Sequence, residues 1–282
     1  MRHAHEPEFH AVFLILGLLV LLSVPGILWR HQQLASVQAT YRSPMAPVIL
    51  VPGSSATQNR FNQLVKELNT QTETKHSLLR VEVCTDGRLK SSGTIRPGDR
   101  RPFIVVGFQD RHDGAANILR QAKWFTIAFR ALQKAYHFNH FSAMGHSNGG
   151  LVLTLFMEHD LAATGAHAER LMTIASPFNL EEWNPTVDTP LFKTLVAGRS
   201  ALPRQLAVYS IAGSETYSDD GIVPFDSVNR GKYIFQKQVR SFTQITVTGA
   251  NAKHGDLPEN RQIVKLIRQD LLKTVSFREP NG

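Results

Sequence analysis

Apolar residues in this chain fall into short runs separated by stretches with helical spacing. Pro47 to Val51 is apolar and is broken by Pro52-Gly53, which predicts a buried first strand closed by a tight turn. Phe61, Leu64, Val65 and Leu68 then recur at helical spacing. Leu79, Val81 and Val83 alternate with polar residues ahead of Asp86-Gly87, the pattern of a strand entering a hairpin-type turn, and residues 88–102 read as loop or edge structure. Phe103–Phe108 is a further buried-strand candidate, and Ile118, Ala122, Phe125, Phe129, Leu132 and Tyr136 form the stripe of an amphipathic helix. Runs at Phe141–Met144, Leu171–Ala175, Leu206–Ile211 and Phe242–Val247 continue the alternation. A last helix from about Pro258 turns Ile263, Leu266, Ile267 and Leu271 inward. This order predicts an α/β fold with a mainly parallel sheet covered by helices on both faces.

One run does not fit that alternation. From Ala11 to Trp29 the chain is apolar except for Ser23, and its 19 residues suffice to cross a hydrocarbon layer of ~30 Å as a helix. A cleaved signal peptide is the rival reading. Its apolar core is usually shorter, and the nearest small-residue motif here, Val37-Gln38-Ala39, lies well beyond the apolar end. The expectation is therefore one N-terminal transmembrane helix, with residues 1–46 forming anchor and linker and residues 47–282 forming the catalytic domain. Charge does not decide the orientation: Arg2 is offset by Glu6 and Glu8, while Arg30 and Arg42 lie on the other side.

Composition narrows the function classes. The single cysteine, Cys84, excludes an internal disulfide and a cysteine-based zinc cluster. A formal net charge of +8 favours anionic surroundings such as acidic lipid, a polyanionic envelope polymer or nucleic acid. Nucleic acid is the least supported of the three, since zinc-finger spacing, an RNA-binding aromatic signature and a long Lys/Arg run are all absent from the sequence. Without H-E-x-x-H, a phosphate-cradling G-x-x-x-x-G-K or a dinucleotide fingerprint, no metal and no nucleotide cofactor is expected.

Chemistry enters at Gly145-His146-Ser147-Asn148-Gly149, a G-x-S-x-G pattern followed by Gly150. It sits after the strand candidate Phe141–Met144 and opens a helical stretch through Leu151, Leu155 and Phe156, which is the strand-turn-helix setting of a nucleophile elbow. Glycines around a serine in strained geometry let strand and helix approach closely and leave the hydroxyl exposed. A serine hydroxyl is a weak nucleophile and needs a base and a group that orients the base. In the chain order of such folds both follow the serine. Asp220, followed by Gly221 after a late strand, is preferred as the acid over its neighbour Asp219, and His254, between the last strand and the last helix, is the expected base. His146 beside the nucleophile is the less favoured base. The oxyanion requires two backbone donors, expected from the amides of Asn148 and Ser54, the latter in the loop after the first strand.

Val51-Pro52-Gly53-Ser54-Ser55-Ala56, Phe103–Phe108, Gly145–Gly150, Ser176-Pro177-Phe178-Asn179, Asp220-Gly221-Ile222-Val223-Pro224 and His254 together resemble a family of α/β hydrolases, exported cell-surface hydrolases of Gram-positive bacteria long catalogued as a domain of unknown function. The resemblance spans roughly residues 45–275. It implies Ser147, Asp220 and His254 as a triad, an α/β-hydrolase fold and an extracytoplasmic domain. Two departures are Pro52, where many related lipases carry histidine, and Asn148, where methionine is common in family elbows. The expected activity is carboxylic ester cleavage through an acyl-enzyme, acting on a small-molecule or lipid ester. Amide or thioester cleavage by the same triad, or a surface binding module with negligible hydrolysis, are the alternatives. Residues 178–204, with Phe178, Leu180, Trp183, Leu191, Phe192 and Leu195, read either as a small lid or as an ordinary connection with its own helix.

Overall fold

A computed structural model of the chain describes residues 24–25, 43–70, 72–216 and 218–272. The run Ala11–Trp29 lies almost entirely outside the described residues, and within those residues no helix is long and apolar enough to cross a membrane. From Pro44 onward the described residues form one compact unit.

Its centre is an eight-stranded sheet. In chain order the strands are β1 (Val48–Val51), β2 (Leu78–Val83), β3 (Leu89–Ser92), β4 (Phe103–Phe108), β5 (His140–His146), β6 (His167–Ile174), β7 (Ala207–Ser214) and β8 (Ser241–Thr248). Across the sheet the order is β3-β2-β4-β1-β5-β6-β7-β8. Every pairing is parallel except β2 with β3, which the Asp86-Gly87 turn joins as an antiparallel hairpin. β1 and β4 are buried along their whole length, as strands covered on both faces must be. β8, on the outer edge, buries only Val247.

Two apolar layers flank the sheet. Helices α2 (Ala115–Tyr136), α3 (Asn148–His159) and α4 (Pro190–Gly198) pack on one face with Ile49, Ile104 and Phe141. The predicted stripe of α2 is the buried one, through Ile118, Ala122, Phe125, Phe129 and Leu132, with Tyr136 partly buried. There Phe129 meets Phe156 at 4.8 Å and Phe141 at 4.9 Å between ring centroids, and each such ring, fully buried, contributes roughly 2–3 kcal/mol by removal from water. Helix α1 (Asn62–Thr70) and the last helix α7 (Arg261–Leu266), which runs on through a π-turn over Ile267–Leu271, cover the other face with Leu64, Leu68, Ile263 and Ile267. Between them in sequence lie two short helices, α5 (Phe225–Asn229) and α6 (Gly231–Phe235). The stretch 178–204 carries α4, capped by the Thr189 side chain with Pro190 in its first turn; it buries Phe178, Leu191, Phe192 and Leu195 and leaves Trp183 exposed.

Helix α3 is buried on nearly every side, which explains why its sequence shows no helical period. The cost falls on Glu158 near its end, whose two carboxylate oxygens are buried without a hydrogen-bond partner among the described residues. Burial alone pushes its pKa from 4.5 to about 9. The folded state thus holds a proton that the unfolded chain releases, so stability declines as pH rises from 4.5 towards 9. At pH 7 the penalty is on the order of 3 kcal/mol. Glu158→Met should be more stable than the parent by an amount of that order in urea unfolding at pH 7. It should also lose most of the decline in stability between pH 5 and pH 9; an unchanged slope would show that Glu158 is not the titrating group.

Candidate active site

Every candidate residue sits at the C-terminal ends of the parallel strands, where an open α/β sheet presents its crevice. Ser147 follows β5 and caps α3 with φ 54° and ψ −131°, a conformation that side-chain-bearing residues rarely adopt. Close packing holds it there. A Cβ on Gly149 would lie 2.1 Å from the carbonyl oxygen of Val51, and one on Gly53 would lie 2.6 Å from the Cβ of Ser147. The first-strand loop is therefore pressed directly against the elbow. The Ser147 side chain is partly exposed while its neighbours are buried.

Asp220 and His254 come together across 34 positions of sequence. The His254 ring donates from Nδ1 to Asp220 Oδ2 at 2.8 Å, while Asp220 Oδ1 accepts the backbone amides of Ile222 at 3.1 Å and Val223 at 2.8 Å. Both side chains are buried, Asp220 to 2% exposure and His254 to 8%. With a carboxylate accepting at Nδ1, the neutral imidazole carries its proton there and keeps Nε2 as an acceptor. Asp219 is engaged elsewhere. Its carboxylate accepts Ser218 Oγ at 2.7 Å, Thr216 Oγ1 at 2.8 Å and the Gly221 amide at 2.8 Å, and these hydrogen bonds, that of Ser218 foremost, lower its pKa.

His146 does not point at a substrate. Its Nε2 donates to the backbone carbonyl of His254 at 2.9 Å, and the two rings lie 4.8 Å apart. Burial, followed by the nearby His254 and Arg60, drives its pKa well below 6.5. His146 is thereby held neutral as a donor beneath the His254 loop. The same loop is fastened by Asn260, whose Nδ2 donates to the carbonyls of Ala250 and Asn251, and by Arg60, which donates to the Gly255 carbonyl and pairs with Glu259 at 2.7 Å. Ser147 Oγ makes no hydrogen bond among the described residues, and its chain neighbour His146 bonds to the His254 loop.

The amides of Ser54 and Asn148 are not engaged by an acceptor among the described residues. The side chain of Asn148 does bridge: its Nδ2 donates to Ser54 Oγ at 2.6 Å and to Asp113 Oδ1 at 2.6 Å, and Ser54 Oγ donates to Asp113 Oδ1 at 3.2 Å. This ties the loop after β1 to the loop before α2. Asp113 lies in the polar stretch Gln109–Gly114 and had no motif to mark it. Among the described residues no group of three or more His, Cys, Asp or Glu side chains could hold a metal ion.

The packing of the elbow is checked by stability. Gly149→Ala forces a Cβ into backbone and should destabilise by ~1–3 kcal/mol or more. Gly255→Ala, with nothing within 4 Å of the added carbon, should stay within about 0.5 kcal/mol of the parent in the same unfolding assay. Equal effects of the two would contradict the close approach.

A structure of the candidate cell surface hydrolase from Lactobacillus plantarum WCFS1 is similar with 58% identity and a TM-score of 0.76, over 83% of this chain and 94% of that one. The lin2722 gene product from Listeria innocua matches with 26% identity and a TM-score of 0.74, over 82% and 96%. A lipase-esterase related protein from Clostridium acetobutylicum ATCC 824, at 10% identity and a TM-score of 0.50 over 81% and 95%, shares the fold. No curated protein matches the sequence. The profile of the family described as alpha/beta hydrolase of unknown function (DUF915) covers residues 35–274, and the chain belongs to that family.

Proposed function

We propose that the protein is a serine hydrolase that cleaves carboxylic esters through an acyl-enzyme. The observation that carries the reading is the buried Asp220–His254 pair at 2.8 Å, together with Ser147 on a strained strand-to-helix turn at the same ends of the strands. In the proposed reaction Ser147 Oγ attacks the carbonyl carbon while His254 Nε2 takes its proton. The tetrahedral oxyanion is met by the amides of Ser54 and Asn148. Collapse breaks the ester C–O bond, and the leaving alcohol takes the proton from His254. Water, deprotonated by the same imidazole, then attacks the acyl-enzyme, and the acid and Ser147 are released. Asp220 orients the ring and balances the charge of the imidazolium.

Ser147→Ala should abolish turnover of a soluble model ester, and a fluorophosphonate probe should label Ser147 alone. Asp220→Asn should lower turnover by ~10⁴-fold, with Asp219→Asn costing little. Labelling at another serine, or undiminished turnover in Ser147→Ala, overturns the assignment; a reversed aspartate pattern moves the acid role to Asp219.

The proposed setting is the outer face of a membrane, with Ala11–Trp29 as the anchor, residues 1–46 as anchor and linker, and residues 47–282 as the catalytic domain. Support comes from the apolar run and from the surface location in the name of the Lactobacillus relative. Full-length protein should remain in the membrane pellet after a carbonate wash, and a mature N-terminus beyond residue 30 would replace the anchor by a cleaved leader. Phe178, Trp183 and their neighbours in residues 178–204 are proposed as a small cover over the candidate active site, with Trp183 as its exposed part.

A further inference from the structure

At the edge of the sheet opposite Ser147 the protein carries a cleft of about 1430 Å³. Three segments far apart in sequence build it. Lys75 precedes β2, Arg96 and Arg100 precede β4, and Arg261, Lys265 and Arg268 recur along the last helix at spacings of four and three, which places them on one helical face. All six are exposed. Lys75, Arg100, Arg261 and Lys265 have no carboxylate within ion-pair distance among the described residues. The cleft also contains Glu67, Glu73 and Asp99, and Asp99 is already occupied internally by the amides of Ser77 and Arg101. An excess of cations in one cleft, four of them without an ion-pair partner among the described residues, favours a ligand that presents several negative charges.

The path of the chain indicates which ligand. The amide of Ala46 donates to the carbonyl of Arg100 at 2.7 Å, so the polypeptide enters the domain along the rim of this cleft. Residues 30–46, which join the domain to the apolar run, contain Arg30 and Arg42 and no Asp or Glu. Fully extended, such a tether spans at most roughly 60 Å. The strands between the cleft and Ser147 are about 20 Å long. Within the domain, the cleft and the catalytic crevice lie at opposite ends of the strands.

We infer that the cleft lined by Lys75, Arg96, Arg100, Arg261, Lys265 and Arg268 docks on an anionic phospholipid surface, turning Ser147 away from the bilayer towards water-borne esters. This orientation rests on the anchor reading, while the affinity of the cleft for anionic lipid does not.

Full-length protein is reconstituted with vesicles of phosphatidylglycerol and phosphatidylcholine, and separately with phosphatidylcholine alone, and its lysines are acetylated and mapped by mass spectrometry. Labelling of Lys75 and Lys265 should fall by about fivefold on the anionic vesicles alone and recover at high salt. Lys123 and Lys134, exposed on α2, should label equally on both. Arg261→Glu combined with Arg268→Glu should abolish the protection of Lys75 while turnover of a soluble ester is retained. Equal labelling of Lys75 and Lys265 on the two vesicle types overturns the inference, as does protection by soluble polyphosphate or DNA but not by vesicles. Hydrolysis of the vesicles' own phospholipid by docked protein overturns the orientation. Carbonate separates the two readings: protein stripped by the wash but protected on anionic vesicles loses the anchor and keeps the cleft, and protein that resists the wash without protection keeps the anchor and loses the cleft.

Discussion

Strand β5 and helix α3 meet so closely that a Cβ at Gly145 would fall 2.3 Å from the amide nitrogen of Gly150, and one at Gly149 would enter the carbonyl of Val51. That contact fixes the turn between them, and the positive φ of Ser147 is its consequence. Strain of this kind costs on the order of 1–3 kcal/mol and persists only where the surroundings over-determine it. Here the surroundings are the centre of an eight-stranded sheet and a helix buried along nearly its whole length. Glu158, desolvated and unpartnered on the same helix, is a side effect of burying α3 so deeply.

Against that fixed point the His254 loop must be located by other means, because it follows an edge strand that buries only Val247. Three contacts supply its position: the Asp220 carboxylate at the ring, the His146 ring beneath its backbone, and the Arg60 and Asn260 bonds to its flanks. His146 links the two halves, since it belongs to the elbow and bonds to the histidine loop. A protonated His146 would put a charge in a buried site against the His254 ring and near Arg60, and burial above all keeps it neutral. His146 thus braces the partner loop as well as the turn to which it belongs.

The central strands were legible because residues covered on both faces must be apolar throughout, as in Val48–Val51 and Phe103–Phe108. The elbow was legible because its glycines answer a local steric demand. β3 was not, since an edge strand of sequence LKSS has no apolar face to display and only its hairpin turn betrays it. Asp113 was equally invisible. Its partners Ser54 and Asn148 lie 59 and 35 positions away, and short-range pattern carries no information about them. The net charge of +8 could be read directly, whereas its concentration beside β2, β4 and the last helix depends on tertiary structure alone.

Parallel topology separates the two ends of such a sheet. Every strand but β3 enters at one edge and leaves at the other, so the loops that carry Ser54, Ser147, Asp220 and His254 gather on one side. The segments before β1, β2 and β4 gather on the opposite side and bring with them the polypeptide's own point of entry and the basic rim at Arg96 and Arg100. Nothing in the catalytic chemistry requires an excess of cations at that edge, and nothing in the core is stabilised by it. Like charges crowded on one rim repel and weaken the folded state unless a counter-charge arrives. Under the proposed anchoring that counter-charge is the lipid surface, and the same rigid sheet that positions the nucleophile then also sets its distance and direction from the membrane.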